Sequence, residues 1–428
     1  MRRFKFSLLS FSVLLSLSFA FNVSAQVRPR SSGGGRVVYA DQFPGADLGA
    51  RINAADASLG AAAGEIVARG GGRISTQIVI SSGHTLRLEA GTYAPVTNVH
   101  PILLKPRSSL VGAGWDKTII LESTAKDQFT VISAYHNAQR NGSADSDLNL
   151  RDFQVRGANP GFNSAHQAVS LGNCSRCTVE RVWINGTRSI GIQYGGSSSM
   201  GHWAEDSKVV NCLFTRVASQ NLALVNGRNI LFENNRFIAP GQAGGPGSTT
   251  IDLEPNEVAD RLENVIIRNN FIDGKDSEME TAGNGIVVQA TTGTPHVGNI
   301  LVEGNTIIGG YNTPTKVTNK MSNGVYVFGG TMKDVRVVNN RITRMGQAGL
   351  NMEGANLQVL NNQMTDVGGG GTPGFIIVNV YGNSRIEGNS NHWTGHGPSD
   401  GRMVIRGETR GTVFGNNPGF VVTDERRR

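Results

Sequence analysis

One short phrase recurs along the second half of the chain. Six copies of it share an asparagine at position seven. These ladder positions are Asn235, Asn270, Asn305, Asn340, Asn362 and Asn389. The first four are spaced 35 residues apart, and the last two follow at shorter intervals. A period of about 20 to 50 residues with short strands is typical of a solenoid, in which each coil needs its neighbours to bury its apolar face. The sequence therefore predicts stacked β-coils.

Each phrase describes a corner between two strands. In NILFENNRF (residues 229–237), apolar residues alternate before the asparagine, and another apolar residue follows two places after it. Alternation is typical of a strand with one buried face. Asparagine tolerates a left-handed backbone, and its amide both donates and accepts hydrogen bonds. We therefore predict an internal asparagine ladder at this corner. Earlier copies carry Cys212 and Val182 at the ladder position, which indicates that the ladder accepts apolar substitutes.

The start of the chain has the features of an exported protein. Residues 1–25 contain basic residues, an apolar run and the sequence Val23-Ser24-Ala25. They predict a secretory signal peptide that is cleaved after Ala25, and a secreted or periplasmic protein. Residues 26–36 are expected to form a flexible leader, 37–62 an N-terminal cap, 63–422 the solenoid and 423–428 a basic tail. No later apolar run is long enough to span a membrane.

Both ends of the solenoid are expected to be closed. Asp47 is a good N-cap for an amphipathic helix. One face of that helix carries Leu48, Ile52, Ala55 and Leu59. A helix ahead of a solenoid is expected to cover the exposed core of the first coil. At the other end, Trp393 and Phe414 are predicted to plug the last coil.

Charge and cysteine content exclude some classes of function. Without the predicted signal peptide, 37 Lys and Arg oppose 33 Asp and Glu, a net charge of +4. No basic stripe is interleaved with aromatic residues, so nucleic acid is excluded as a partner. Cys174 and Cys177 form a lone C-x-x-C pair. Because a zinc site would need a second pair, we interpret them as buried thiols or a local disulfide.

The region after the helix resembles a known family. It contains a G-G-G turn (70–72), the phrase L-E-A-G-T-Y (88–93) and the phrase L-V-G-A-G (110–114). In this order they resemble the amino-terminal signature of the secreted pectate-lyase-like superfamily. The resemblance implies an all-β fold, a single-stranded right-handed parallel β-helix. That superfamily includes polysaccharide lyases, polygalacturonases and other glycosidases, epimerases and phage tailspikes, so the side chains must decide the function.

The resemblance also implies where a substrate would lie, which is along the strands that precede the ladder strands. Alternation sends their aliphatic residues inward and leaves polar and aromatic residues outside. The outward column is predicted to contain Gln193, Val225, Glu254, Gln289, Phe328, Glu353 and Asn379. Asp252, Tyr326 and Asn351 form the neighbouring column, and His202 lies in a loop on the same side. Amide, carboxylate and aromatic groups suit a sugar chain, so a polysaccharide is the expected partner.

Asp252 and Glu254 are the predicted catalytic residues. As residues i and i+2 of one strand they share a face, with Cα atoms about 7 Å apart. Their carboxyl groups are expected to fall in the range of about 5 to 9.5 Å that glycosidases use. Two close carboxylates repel each other, which raises one pKa and provides a general acid. The alternative interpretation is that both acids only decorate a solvated strand. Glu353, three coils further on, is interpreted as a substrate contact.

Three hypotheses about function follow. The leading one is a glycoside hydrolase, although the N-T-D, D-D and R-I-K phrases of polygalacturonases are missing and Gly395-His396-Gly397 lies far from the acids. The second is a polysaccharide lyase or epimerase, with Ca²⁺ as the cofactor of a lyase and a loop residue such as Lys208, Lys316 or Lys320 as the base. The third is a non-catalytic, glycan-binding or surface-structural rod.

Overall fold

The computed structural model describes most of the chain after the predicted signal peptide. The described residues are 35–96, 100–123, 130–157, 167–196, 202–241, 249–277, 283–290, 296–310, 321–329, 331–395 and 399–426. The predicted signal peptide and nearly all of the predicted leader lie outside these ranges. The architecture that follows concerns the unit Arg36–Arg428.

The chain coils through three stacked parallel sheets, which we name sheets A, B and C in the order in which each coil visits them. Sheet A contains Ile78–Ile80, Ile102–Leu104, Thr130–Ala134, Gln167–Ser170, Ile190–Tyr194, Leu222–Leu224, Thr249–Leu253, Asn284–Gln289, Asn323–Phe328, Leu350–Ala355, Phe375–Tyr381, Arg402–Arg406 and Val421–Asp424. These strands include the ones that the sequence predicts to carry the substrate. Their inward aliphatic side chains form part of one continuous core that runs through the coils.

Sheets B and C meet at the predicted corner. Sheet B contains Arg36–Tyr39, Gly64–Ala68, His84–Leu88, Ser109–Gly112, Asn149–Arg156, Thr178–Asn185, Lys208–Val210, Gly227–Glu233, Arg261–Arg268, His296–Glu303, Lys333–Val338, Gln358–Leu360, Arg385–Glu387 and Val413–Phe414. Sheet C contains Gly72–Ile74, Gly91–Pro95, Thr118–Leu121, Leu213–Thr215, Arg236–Ile238, Phe271–Asp273, Thr306–Ile308, Arg341–Thr343, Gln363–Thr365 and Ser390–His392. The strands Asn149–Arg156 and Thr178–Asn185 continue from sheet B into sheet C.

A few short elements lie outside this pattern. The two-residue strands Asp145–Ser146, Cys174–Ser175 and Ala204–Glu205 stack at the entry to sheet B. The helices are a 3-10 turn at Ala40–Gln42, an α-helix at Leu48–Leu59 and a short helix at Tyr135–Gln139. Cys174 and Cys177 are joined by a disulfide, which confirms one of the two interpretations drawn from the sequence.

The asparagine ladder is present at the corner between sheets B and C. In Asn270, for example, the backbone N–H and the side-chain amide both donate to Oδ1 of Asn305 at 3.0 Å. The same amide donates to the backbone carbonyl of Phe232 at 3.0 Å. The pattern repeats along all six predicted asparagines and continues one coil further, where Asn389 donates to Asn417 at 2.9 Å. The prediction of a ladder is confirmed, and Cys212 starts it by donating its backbone N–H to Asn235.

The left-handed residue of the corner is the one before the ladder asparagine. Asn234, Asn269, Asn339 and Asn361 have φ between 55° and 57° and are exposed. The ladder asparagine itself does not take this conformation. One left-handed residue is enough to turn the chain, and its outward side chain leaves the next residue pointing into the core.

A second, outer ladder runs along position one of the same phrases. Asn229, Asn264 and Asn299 have φ of 54° to 55° and exposed side chains. The Asn264 amide donates to Asn229 at 2.9 Å, and the Asn299 amide donates to Asn264. These three coils are thus fixed by a buried ladder and by an exposed one.

The N-terminal end is closed by the predicted helix. Asp47 caps it, with Oδ1 accepting from the backbone of Ala50 at 3.0 Å and Oδ2 accepting from that of Thr76 at 2.8 Å. The predicted apolar face packs on the first coil, since Ile52 and Ala55 are fully buried. The cap prediction is confirmed.

The C-terminal end differs from its prediction at one residue. Phe414 packs against the core as expected, but Trp393 is 63% exposed and is not a plug. Trp393 follows the last described strand of sheet C, where no further coil is described above it. Phe420 takes the predicted role instead, packing edge-on against Phe375 with ring centroids 5.7 Å apart.

Candidate active site

Asp252 lies at the centre of sheet A on a small apolar floor. It pairs in register with Ala223 of the preceding coil and with Val287 of the following coil. These two neighbours are 7% and 4% exposed. Both neighbours have apolar side chains. The carboxyl of Asp252 therefore lies between two apolar residues of its column.

The carboxyl of Asp252 is buried and only partly satisfied. The residue is 5% exposed. Its Oδ2 accepts a hydrogen bond from the Gln220 amide at 3.4 Å. Its Oδ1 has no hydrogen-bond partner in the described part of the chain. Since an unpartnered buried polar atom costs about 1 to 3 kcal/mol, this oxygen is a candidate for a functional contact.

Asp252 and Glu254 act on each other electrostatically. Burial first, and then the charge of Glu254, raise the pKa of Asp252 to about 8. The two side chains also lie within hydrogen-bonding reach of each other. At neutral pH, Asp252 therefore carries a proton that it can donate, as the sequence predicts for one member of the pair.

The two predicted acids are paired. A hydrogen-bonding contact is shorter than the roughly 5 to 9.5 Å that separates the carboxyl groups of glycosidases. A shared proton relieves the repulsion between two carboxyl groups in contact. The glycosidase spacing therefore stays a prediction for the protein with a bound substrate.

Gln193 lies in a different column from the predicted one. It pairs with Ala223, which pairs with Asp252. Gln193 is therefore in the column of Asp252 and not in that of Glu254. The prediction aligned the strands by their first and last residues. Strands of successive coils begin and end at different positions, so only the residue-by-residue pairing between neighbouring strands defines a column. The Gln193 side chain accepts a hydrogen bond from the amide of Gln167, one coil earlier.

Two aromatic residues lie two coils beyond the acids, in the predicted columns. Tyr326 pairs with Val287 and Phe328 pairs with Gln289. Their rings stack with centroids 4.4 Å apart and an interplanar angle of 27°. Both residues are half-buried. At about 4.8 Å per coil, this aromatic platform begins about 10 Å from the acids.

The next coils carry the remaining predicted contacts. Asn351 pairs with Tyr326 and is half-buried. The carboxylate of Glu353 accepts the backbone N–H of Gly329 at 3.1 Å and the amide of Asn379 at 3.5 Å. Asn379 lies at an irregularity in the pairing of its strand, with φ of 49°. Glu353 and Asn379 therefore support each other, and their contact with a substrate stays a prediction.

His202 lies at the corner between sheets A and B and is half-buried. Its neighbour Trp203 is contacted by the guanidinium groups of Arg228 and Arg261, at 5.3 and 4.7 Å from the ring centroid. These residues form a cationic and aromatic rim at this corner. A substrate contact by His202 stays a prediction.

The predicted lysine bases are not on this surface where they are described. Lys208 lies in the sheet B strand Lys208–Val210, so it does not face sheet A. Lys316, Lys320, His396 and Gly397 lie outside the described residues. In the described ranges, no cluster of three or more His, Cys, Asp or Glu residues is arranged to hold a metal ion.

Comparison with known proteins supports the architecture. A family model described as "Right handed beta helix region" matches residues 141–323. The A-module of the mannuronan C-5 epimerase AlgE6 from Azotobacter vinelandii superposes with a TM-score of 0.55, at 17% identity, over 90% of this chain and 99% of that one. The chain has the right-handed parallel β-helix fold of the pectin-lyase type. The fold that the resemblance implied is therefore confirmed.

Two other β-helices of this kind are similar over most of their length. The exopolygalacturonase of Thermotoga maritima has a TM-score of 0.52 at 12% identity, covering 82% of this chain and 87% of that chain. DFA-IIIase from Arthrobacter chlorophenolicus A6, without its lid, has a TM-score of 0.51 at 12% identity, covering 88% and 94%. No curated protein matches this chain.

Gln220 is the residue of this β-helix site that the sequence analysis missed. It lies just before the sheet A strand Leu222–Leu224, one coil before Asp252. Turn residues carry no alternation, so no sequence pattern marked it.

Among the described helices, none has the length and apolar character of a membrane span.

Proposed function

We propose that this protein is an exported carbohydrate-active enzyme that holds a glycan along sheet A and hydrolyses it at Asp252 and Glu254. The single observation that carries the proposal is the buried carboxyl of Asp252, whose Oδ1 is unpartnered among the described residues and whose pKa is raised by burial and by Glu254. The β-helices of similar fold support the class of substrate, since their names are those of carbohydrate-active enzymes.

In this proposal, Asp252 is the general acid. The glycosidic C–O bond breaks, and the leaving oxygen takes the proton of Asp252. In a direct displacement, water adds to the anomeric carbon and gives its proton to Glu254. In a covalent route, Glu254 bonds to the anomeric carbon, and water then displaces it while giving its proton to the Asp252 carboxylate. Glu254 must move away from Asp252 to about 5 Å or more before this can happen. A half-exposed glutamate side chain on a strand end has the freedom to make that movement.

The surface beyond the acids would position the sugar chain. Tyr326 and Phe328 offer a flat apolar face for a sugar ring, and Gln289 and Asn351 offer amides to its hydroxyl groups. These groups follow the axis of the β-helix, so a linear polymer would contact several coils at once.

A second candidate function is a lyase or epimerase reaction on a uronate, and the contact between the two carboxyl groups favours it. In a β-elimination, Glu254 would remove a carbon-bound proton while Asp252 protonates the leaving oxygen. Both steps take place on neighbouring atoms, so an acid and a base in contact suit them.

The test is an incubation of the mature protein with plant, algal and bacterial polysaccharides, with and without Ca²⁺. Reducing ends without ultraviolet absorbance would support hydrolysis, and absorbance of unsaturated uronates would support the lyase. A shift in the ratio of uronate epimers without either signal would support the epimerase. No turnover across the panel would contradict both reactions and favour a non-catalytic role.

Matched variants would assign the activity to the site. Asp252→Asn and Glu254→Gln are expected to abolish turnover in a folded protein. Asp273→Asn is the control, because Asp273 ends a sheet C strand of the same coil and binds the backbone of Lys275. Full activity in the first two variants would show that the chemistry lies elsewhere.

A further inference from the structure

We infer that Gln220 is a positioning residue that holds the carboxyl of Asp252 in place by donating a hydrogen bond to its Oδ2. The inference rests on the proposed function, because it gives Asp252 the role of proton donor. Gln220 would touch neither the substrate nor the reacting atoms and would act through Asp252.

Gln220 is held by Ser219 of its own coil and by the backbone of the preceding coil. Its side-chain oxygen accepts a hydrogen bond from the hydroxyl of Ser219 at 2.6 Å. Ser219 is 4% exposed, and its backbone N–H donates to Ser189 at 3.1 Å. The backbone carbonyl of Gln220 accepts from Gly191 at 2.9 Å. Both the main chain and the amide plane of Gln220 are therefore fixed before Asp252 is considered.

This orientation determines the role of Oδ2 of Asp252. Because the Gln220 oxygen faces Ser219, its NH₂ group faces Asp252. An amide NH₂ only donates, so Oδ2 must accept. Gln220 therefore fixes the orientation of the Asp252 carboxyl through this one oxygen.

The groups around Asp252 make this arrangement measurable. The strands before and after it present Ala223 and Val287, which do not titrate. Glu254 is the titratable group that acts on Asp252, and Gln220 is the neutral donor. A donor to a carboxylate favours the ionised form, so the contact of Gln220 lowers the pKa of Asp252 against the effect of burial.

The experiment compares Gln220→Met, which removes the donor at similar size, with the wild-type protein. We expect the alkaline limb of the pH–rate profile to move upward by about half to one pH unit, because the acid stays protonated to higher pH. We also expect kcat to fall by about tenfold with KM unchanged, because the proton is no longer aimed. Gln220→Glu, which accepts where Gln220 donates, should move the limb further.

The control is Gln358→Met, since the Gln358 amide donates to the backbone of Asn383 on sheet B. A merely structural role of Gln220 would lower activity equally at every pH, and an unmoved alkaline limb would overturn the inference.

A substrate-free readout separates this inference from the proposed function. The pH dependence of thermal unfolding reports the titration of Asp252, and its midpoint should shift in Gln220→Met but not in Gln220→Met/Asp252→Asn. Absence of that shift overturns the inference even if the wild type is active, whereas an inactive wild type with the shift overturns only the proposed function.

Discussion

Two regions of this β-helix, the ladder corner and the centre of sheet A, differ in how their buried polar side chains are hydrogen-bonded. At the ladder corner, the six predicted asparagines are 0% to 1% exposed, and both ends of each amide are hydrogen-bonded. On sheet A, Asp252 is 5% exposed, and its Oδ1 has no partner among the described residues. Full satisfaction is what a structural polar group needs, and an unsatisfied acid is what a proton donor needs. The comparison separates the part of the coil that builds the fold from the part available for chemistry.

The largest effect is expected when the acid of sheet A is neutralised permanently. Asp252→Asn should lower kcat by about 10²- to 10⁴-fold, because the proton donor is lost. It should leave the free energy of unfolding at pH 7 nearly unchanged, because the amide is neutral, as is the protonated acid that it replaces. Turnover of the best substrate and urea unfolding measure the two quantities. A large loss of stability would place Asp252 with the ladder and break the comparison.

The next largest effect is expected at the ladder. Asn305→Ala removes the acceptor of Asn270 and the donor to Asn340, and it should lower the free energy of unfolding by about 3 kcal/mol. The control is Asn299→Gly in the same coil, which keeps the left-handed backbone of the outer ladder and should cost less than about 1 kcal/mol. Equal losses in urea unfolding would mean that burial does not distinguish the two ladders.

The pH dependence of stability should have opposite signs at two aspartates. Burial, followed by the charge of Glu254, raises the pKa of Asp252 from 3.8 to about 8. The favourable contribution of Asp252 to the free energy of unfolding is therefore complete below about pH 4 and is lost as the pH rises toward 8. Burial also acts to raise the pKa of Asp47, but the hydrogen bonds from Thr76, Ala50 and Ser75 outweigh it and lower that pKa to about 2. The contribution of Asp47 is present above about pH 4 and is lost as the pH falls through 2.

Urea unfolding from pH 2 to pH 9 tests these signs. The free energy of unfolding of the wild type minus that of Asp252→Asn should decrease as the pH rises from 4 to 8. The free energy of unfolding of the wild type minus that of Asp47→Asn should decrease only as the pH falls below 4. Two differences that vary with pH in the same direction would show that one of the two carboxyl environments is misassigned.

The smallest effect is expected at the aromatic platform. Phe328→Leu should weaken glycan binding by about tenfold, because stacking contributes about 0.5 to 1.5 kcal/mol beyond the area that it buries. Phe271→Leu is the control, since Phe271 is a half-buried aromatic residue of sheet C that packs under Arg236. Binding titrations that show equal losses in both variants would remove the platform from the site.

The fold could be predicted in detail because its main determinant recurs in the sequence. The interval of 35 residues and the fixed asparagine define both the coil and the ladder. The outer ladder of Asn229, Asn264 and Asn299 was visible in the same phrases, at position one, but was not identified. The N-cap at Asp47 was predictable because a helix start is a local signal.

The site was harder to predict, because it depends on relations between coils. Gln193 was assigned to the wrong column because strand ends vary while the register does not. The contact between the carboxyl groups depends on side-chain rotamers, which no spacing reveals. Gln220 reaches Asp252 across one coil from a turn, and turn lengths vary along the chain.

The most direct test of this account is a structure of Asp252→Asn with a bound oligosaccharide, chosen from the polysaccharide panel so that it is not turned over. We predict that the sugar lies along sheet A, with its glycosidic oxygen within hydrogen-bonding distance of the side chain at position 252 and the Glu254 carboxyl moved to about 5 Å or more from it. A sugar bound on another face of the β-helix, or one that leaves Glu254 in contact with position 252, would contradict the hydrolytic role of this pair.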